Sequence, residues 1–210
     1  MVSANEALIH RFAESNRALA RLASGSRRYL FYCTVNPWFG EEALAELERC
    51  FGERGAAGLA FDTSRQGLPI DSPMIFPFVE VAARAGRPVY FRTGVALFAL
   101  PLSLASLARR YPEVRFVLGA MGLSDYWGDI TPAVRLASNI LLETSVNANV
   151  PAVLPGFIAE FGDRGVMFGS GYPYTDYELQ VRKIERCGLP EQTLERIFLG
   201  NASALFGGSP

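Results

Sequence analysis

The chain has 210 residues, a formal net charge of −1 and 20% charged residues, so it carries no basic field to hold a nucleic-acid backbone or an anionic membrane surface. Half of its residues are apolar, and 20 Gly and 13 Pro are spread along it, which excludes a disordered or collagenous chain and points to one globular domain. The longest apolar run, 95–108, is broken by Pro101 and is too short to span a bilayer. No basic and apolar signal segment opens the chain, so a cytoplasmic protein is expected, with neither nucleic acid nor membrane as partner. Cys33, Cys50 and Cys187 show no paired spacing and read as reduced structural thiols.

Residues 1–27 form the first unit of the pattern. Within them, 4–23 places Leu8, Phe12, Leu19 and Leu22 on one helical stripe, which predicts a packed amphipathic helix. From 28 to 210, short β-branched and aromatic runs alternate with longer stretches of helical period, the signature of successive βα units around a parallel sheet. Six strands are predicted, at 28–35, 58–62, 88–93, 115–119, 140–144 and 166–170. Ser72 with Pro73, and Thr131 with Pro132, read as helix N-caps followed by a first-turn proline, while Gly86 and Gly188 read as helix ends. The expected class is α/β, with six parallel strands where a closed barrel has eight. Such a sheet leaves edges to cover. A helix can shield a flank but is not expected to replace the hydrogen bonds of two strands, so a homodimer or an association with a related subunit is expected.

Six segments in order carry a further signal. They are Cys33-Thr34-Val35-Asn36-Pro37, then Pro88 to Gly94 (PVYFRTG), Phe116 to Gly122 (FVLGAMG), Leu142-Glu143-Thr144-Ser145, Val166 to Pro173 (VMFGSGYP) and Leu199 to Gly207 (LGNASALFG). Together they resemble the amidohydrolase-related family that includes aminocarboxymuconate-semialdehyde decarboxylase, dihydroxybenzoate decarboxylases and dicarboxylate lactonases. The resemblance implies an incomplete or distorted TIM (β/α) barrel, truncated at its N-terminus, whose first strand matches the family's third. It also implies a metal position, usually zinc, held by histidines on the first and fifth strands and an aspartate after the eighth. At the matching positions stand Arg92 for the fifth-strand histidine, Ala120 for a further histidine ending the sixth, and Gly171 for the aspartate. The chain's one histidine, His10, lies in the predicted first helix. Alanine and glycine offer no donor side chain and a guanidinium repels a divalent cation, so no metal is expected. The alternative places Asp62, Glu143 and Asp176 as oxygen ligands for Mg²⁺ or Ca²⁺.

The candidate catalytic residues are Arg92, Glu143 and Asp176. Arg92 at the C-terminal mouth could grip a carboxylate or phosphate, or pair internally with Glu143 or Asp62. Glu143 could move a proton, or simply be Arg92's partner, and Asp176 is the other proton carrier. Asn36, Trp38, Asp62, Thr93, Ser145, Ser170, Tyr172 and Tyr174 are the candidate substrate-binding residues. Trp38 could stack on a ring or pack on its neighbours, and Ser170 in its Gly-Ser-Gly turn could offer a hydroxyl or serve backbone geometry alone. One distant histidine cannot build a Ser/His/Asp or Cys/His system. No phosphate-loop or dinucleotide spacing occurs, so no cofactor is expected. The expected function is a metal-free amidohydrolase-like protein binding a small anionic or aromatic molecule, with acid/base hydrolysis, decarboxylation or cyclisation as its chemistry. The competing expectation is a non-catalytic subunit that stabilises or regulates a full-length partner.

Overall fold

The computed structural model describes residues 10–26 and 28–207. Six parallel strands form one sheet in chain order: β1 (Tyr32–Thr34), β2 (Gly58–Phe61), β3 (Val89–Arg92), β4 (Phe116–Gly119), β5 (Ile140–Glu143) and β6 (Val166–Met167). Each lies inside its predicted run. The outermost two are cut shortest, because each has a strand neighbour on one side only and its ladder ends sooner. Around the sheet run α1 (Phe12–Ser24), α2 (Gly40–Gly52), α3 (Thr63–Gln66), α4 (Phe76–Arg84), α5 (Pro101–Arg110), α6 (Ile130–Leu136), α7 (Val150–Phe161), α8 (Tyr177–Glu185), α9 (Glu191–Glu195) and α10 (Asn201–Phe206). The result is the α/β class, an incomplete TIM barrel.

Side-chain alternation sorts the strands into two faces. Cys33, Leu59, Phe61, Val89, Phe91, Phe116, Leu118, Ile140, Leu142 and Val166 join the helices in one continuous apolar core. Phe91 stacks on Phe61 at 5.2 Å and on Phe116 at 6.4 Å between ring centroids, a ladder of rings across three strands. The intervening residues, among them Thr34, Tyr90, Arg92, Gly119 and Glu143, form the opposite face, which in a barrel is the interior. No described helix is long and apolar enough to cross a membrane. All three cysteines are buried and free, as expected of structural thiols.

Helix boundaries follow local chemistry. Ser72 caps its turn, its hydroxyl accepting from Met74 N at 3.3 Å, and Gly86 and Gly188 close α4 and α8 with φ of +61° and +66°. The Thr131-Pro132 pair corrects the prediction: α6 already begins at Ile130, continuing a 3₁₀ turn over Trp127–Asp129, so Thr131 sits inside the first turn and caps nothing.

The first helix also departs from its apolar reading. Leu8 falls outside the described residues, Phe12 is buried and Leu19 packs on the core, but Leu22 is 48% exposed. The fully buried residue one turn after Phe12 is polar: Asn16. Its Oδ1 accepts from Thr34 N at 3.1 Å, and its Nδ2 donates to Thr34 O at 3.1 Å and to Glu46 Oε1 at 3.2 Å. A carboxamide offers the same donor and acceptor as a peptide group, so α1 does supply strand-like hydrogen bonds to the β1 edge at Thr34. On the far edge, Phe168 N donates to Ile197 O at 2.8 Å, and Asn201 Nδ2 donates to Val166 O at 2.6 Å. The expectation that a helix cannot replace edge hydrogen bonds is corrected at these points.

Replacing Asn16 by Ala strands the N–H and C=O of Thr34 and removes a donor from buried Glu46. The expected loss is about 2–4 kcal/mol. Leu22→Asp changes stability by no more than about 0.5 kcal/mol. Urea denaturation of both variants checks the pair, and equal effects would contradict this assignment of the edge.

Candidate functional site

Two glycines open the centre of the inner face. A Cβ on Gly119 would lie 2.2 Å from the Tyr90 hydroxyl oxygen, and one on Gly169 would lie 1.2 Å from Glu143 Oε1. Lacking side chains, β4 and the segment after β6 leave room for the phenol of β3 and the carboxylate of β5. There Tyr90 Oη donates to Glu143 Oε2 at 3.3 Å. Glu143 also accepts from Ala120 N at 3.1 Å, from Ser145 N at 2.7 Å and from Ser145 Oγ at 2.8 Å. All are donors, the complement that an acceptor-only carboxylate takes. Burial first, and the charge of Glu143 second, push the Tyr90 phenol well above its ordinary value, so it remains a proton donor. Ser145 thereby has a task other than substrate binding, since its N–H and hydroxyl are both committed to Glu143.

Of the two internal partners considered for Arg92, the structure selects Asp62. Arg92 Nη1 lies 3.3 Å from Asp62 Oδ2, and the Arg92 side chain stays 35% exposed. Asp62 is nearly buried and further held by Ser64 Oγ at 2.5 Å and by Arg65, whose Nε lies 3.4 Å away. It also caps α3 through Arg65 N.

Several other candidates hold the loops. Thr93 is fully buried; its hydroxyl donates to Gly119 O at 2.8 Å and accepts from Gly122 N at 3.1 Å, so it locks the turn after β4 and does not face a ligand. Asp176 is the exposed N-cap of α8, accepting from Leu179 N at 2.8 Å. Buried Asn36 accepts from Trp38 N at 3.2 Å and caps the turn Pro37–Phe39. Trp38 is exposed, with its indole N–H fixed to Gln66 O at 2.7 Å. Ser170 accepts from Tyr172 N at 3.2 Å, a turn bond, while Tyr172 and Tyr174 are largely exposed.

The positions implied for a metal do not fit one. Gly171 has φ +66°, and a Cβ there would sit 2.8 Å from Val146 Cγ2, so even the first atom of an aspartate side chain is crowded. Asp62 is engaged by two guanidinium groups, Glu143 by its donors and Asp176 by its helix. Among the described residues no three His, Cys, Asp or Glu side chains gather as a metal site would require.

A residue that pattern reading missed stands beside Glu143. Of the chain's 20 Lys and Arg residues one is lysine, Lys183, and the rest are arginine. It lies on α8 between buried Gln180 and Cys187 and reaches the end of β5, where Nζ donates to Thr144 O at 2.8 Å and to Gln180 Oε1. Burial pulls its amine down to about 8, against the opposing pull of the Glu143 charge. The sequence signal was available: a lone lysine on the packed stripe of an arginine-rich chain.

A space of about 100 Å³ lined by Gly86, Arg87, Pro88, Glu113, Arg115 and Leu205 lies at the strand N-terminal end, and one of about 250 Å³ lies by Gln192, Arg196 and Leu199. Both are smaller than the ~300–1,000 Å³ usual for small-molecule sites.

The chain belongs to the amidohydrolase family, whose profile matches residues 3–208. It is 22% identical to a γ-resorcylate decarboxylase from Polaromonas, an alignment covering 98% of this chain and 82% of that protein. Among solved structures it resembles the 5-carboxyvanillate decarboxylase of Sphingomonas paucimobilis, with TM-score 0.76 and 21% identity over 100% of this chain and 76% of that one. It also resembles a TIM-barrel protein from Bordetella bronchiseptica, with TM-score 0.77 and 17% identity over 91% of this chain and 72% of that one. These likenesses establish the barrel fold.

Gly169→Ala drives a methyl group into the Glu143 carboxylate. The expected cost is about 1–3 kcal/mol, measured by thermal melting. Lys183 gives a pH signature. Its amine is lowered in the fold, so the unfolded chain holds that proton more tightly, and stability attributable to Lys183 rises as pH climbs from below 8 toward 10. The difference in stability between native protein and Lys183→Met should therefore move in favour of the native protein over that window. A flat difference would contradict the assignment.

Proposed function

We propose that this protein is a metal-independent member of the amidohydrolase family that binds a small aromatic or anionic carboxylate at the barrel mouth and performs acid/base chemistry on it. Decarboxylation is the best-supported reaction, since relatives are named for removing carboxyl groups from dihydroxybenzoates and carboxyvanillate. The observation that carries the reading is the Glu143 cluster: a carboxylate oriented by Ser145 and Ala120 and bonded to a protonated phenol, on the same inner face as Arg92. The exposed part of the Arg92 fork anchors the substrate carboxylate. Glu143 takes and returns the proton, and Tyr90 donates to oxygen that gains negative charge. The exposed rings of Trp38, Tyr172 and Tyr174 provide stacking surface.

A second reading, a non-catalytic subunit that stabilises or regulates a related partner, is favoured by the internal pairing of the site's charged groups, Arg92 with Asp62 and Glu143 with its four donors. Either reading fits a working form that is a homodimer or a complex with a related subunit, because the partner would cover the inner face beside β1.

Protein purified from its own host should hold less than stoichiometric zinc, manganese or iron, with a melting temperature unmoved by chelator; one tightly held metal per chain would sink the metal-independent reading. Calorimetry with 2,6-dihydroxybenzoate should show binding that Arg92→Ala abolishes at a stability cost below about 1 kcal/mol, because the pair with Asp62 is partly exposed and Asp62 keeps Arg65. Absence of binding to an intact fold, with a histidine-bearing relative co-purifying, selects the subunit reading.

A further inference from the structure

Lysine and arginine differ in one respect that matters here: a guanidinium keeps its proton in proteins, whereas an amine can give it up and become a nucleophile. Arginine fills every other cationic position of this chain. Lysine stands where a cation from α8 reaches the C-terminal end of β5, beside the strand end that carries the carboxylate at the centre of the candidate site. Its Nζ is held by two acceptors, Thr144 O and Gln180 Oε1, and the Thr144 carbonyl lies between Glu143 and Ser145, both of which belong to that site. An ion pair alone would need no such placement, and Lys183 forms none among the described residues. The groups whose charge bears on it are Glu143 from β5 and Cys187, just past the end of α8.

We propose that Lys183 is a carbonyl-capturing amine, and that the site's substrates include small 3-oxo acids bound as an imine on its Nζ. The inference rests on the reading of the Glu143 cluster as an acid/base site. Loss of CO₂ requires somewhere for the electron pair of the breaking carbon–carbon bond to go, and an iminium nitrogen can receive it. The unprotonated amine adds to the oxo carbon; the carbon–nitrogen bond forms as the carbonyl pair moves onto oxygen, which takes a proton through Tyr90. Glu143 accepts the proton released from nitrogen and returns it to the departing hydroxyl, so that loss of water leaves the iminium. The bond to the carboxylate then breaks, CO₂ departs and its pair forms the enamine. Protonation at carbon and addition of water return the amine and release the ketone. The water lost and gained cancels, one proton is consumed, and no oxidant or reductant is needed.

The test is reductive trapping of the intact protein with acetoacetate and cyanoborohydride, read by mass spectrometry and peptide mapping. Because Lys183 carries the chain's one ε-amine, the map distinguishes it from the α-amine at the N-terminus. The expected result is one adduct on the peptide bearing Lys183, absent in Lys183→Arg, which keeps the charge. Trapping should rise with pH through a midpoint near 8 rather than near that of a free lysine. Glu143→Gln should slow trapping at least tenfold while leaving Lys183 in place. An adduct confined to the N-terminus, or no adduct on protein that melts as usual, overturns the proposal. If 2,6-dihydroxybenzoate still binds in an Arg92-dependent way in that case, the reading of the site stands and only the role of Lys183 falls.

Discussion

An open parallel sheet has peptide groups along both edges that nothing in the sheet can satisfy, and the placement of every inner-face residue depends on how those edges are closed. In this chain two asparagine side chains contribute to the closure. Asn16 presents a carboxamide to Thr34 as a neighbouring strand would, and Asn201 does the same for the carbonyl of Val166. Asn16 is itself fixed by Glu46, a fully buried carboxylate whose charge is compensated by Arg54 and Arg49. A buried acid without such partners would cost several kcal/mol, so the network holds α1, α2 and β1 in one arrangement. That arrangement sets where β1 ends and hence where the Asn36 to Trp38 turn begins.

From the closed edge inward, the site is defined by what is missing as much as by what is present. Gly119 and Gly169 have no side chain on the face where Tyr90 and Glu143 need space, and the phenol and carboxylate meet in that space. At the positions the family resemblance implies for a metal stand Arg92, Ala120 and Gly171, and a salt bridge between Arg92 and Asp62 occupies the mouth near the first of them. The barrel thus keeps its geometry while the charge at its centre is organised by hydrogen bonds. A protonated phenol and an oriented carboxylate meet at this centre, and an amine of lowered proton affinity reaches the end of the strand that carries the carboxylate.

The fold was legible in the sequence because its signal is local. Alternation of short apolar runs with helical stretches marks six βα units, and each strand forms within the run that marks it. Arg92 and Glu143 could be singled out because both end strands, and ends of parallel strands converge at the mouth. Polar residues that act through distant partners were hidden. Asn16 interrupts an apolar stripe and so looks like its weak point, although it is the residue that closes the edge. Tyr90 reads as an ordinary strand aromatic, and its partner Glu143 is 53 residues further on. For Thr93, Ser145 and Asp176, composition near a strand end does not say whether a hydroxyl or carboxylate is already engaged by the protein: Thr93 and Asp176 bond the backbone and Ser145 bonds Glu143.

By itself the sequence determined the class, the strand order, the absence of metal-donor residues at Arg92, Ala120 and Gly171, and the presence of one lysine among the cations. Periodicity and residue chemistry suffice for these, since each is a property of a segment or a position. Only the tertiary structure decided that Arg92 pairs with Asp62 rather than Glu143, that Glu143 gathers Tyr90 and Ser145, and that Lys183 reaches the end of β5. These are pairings between elements brought together by packing, and a pairing is fixed by distance and burial, which a one-dimensional pattern does not contain.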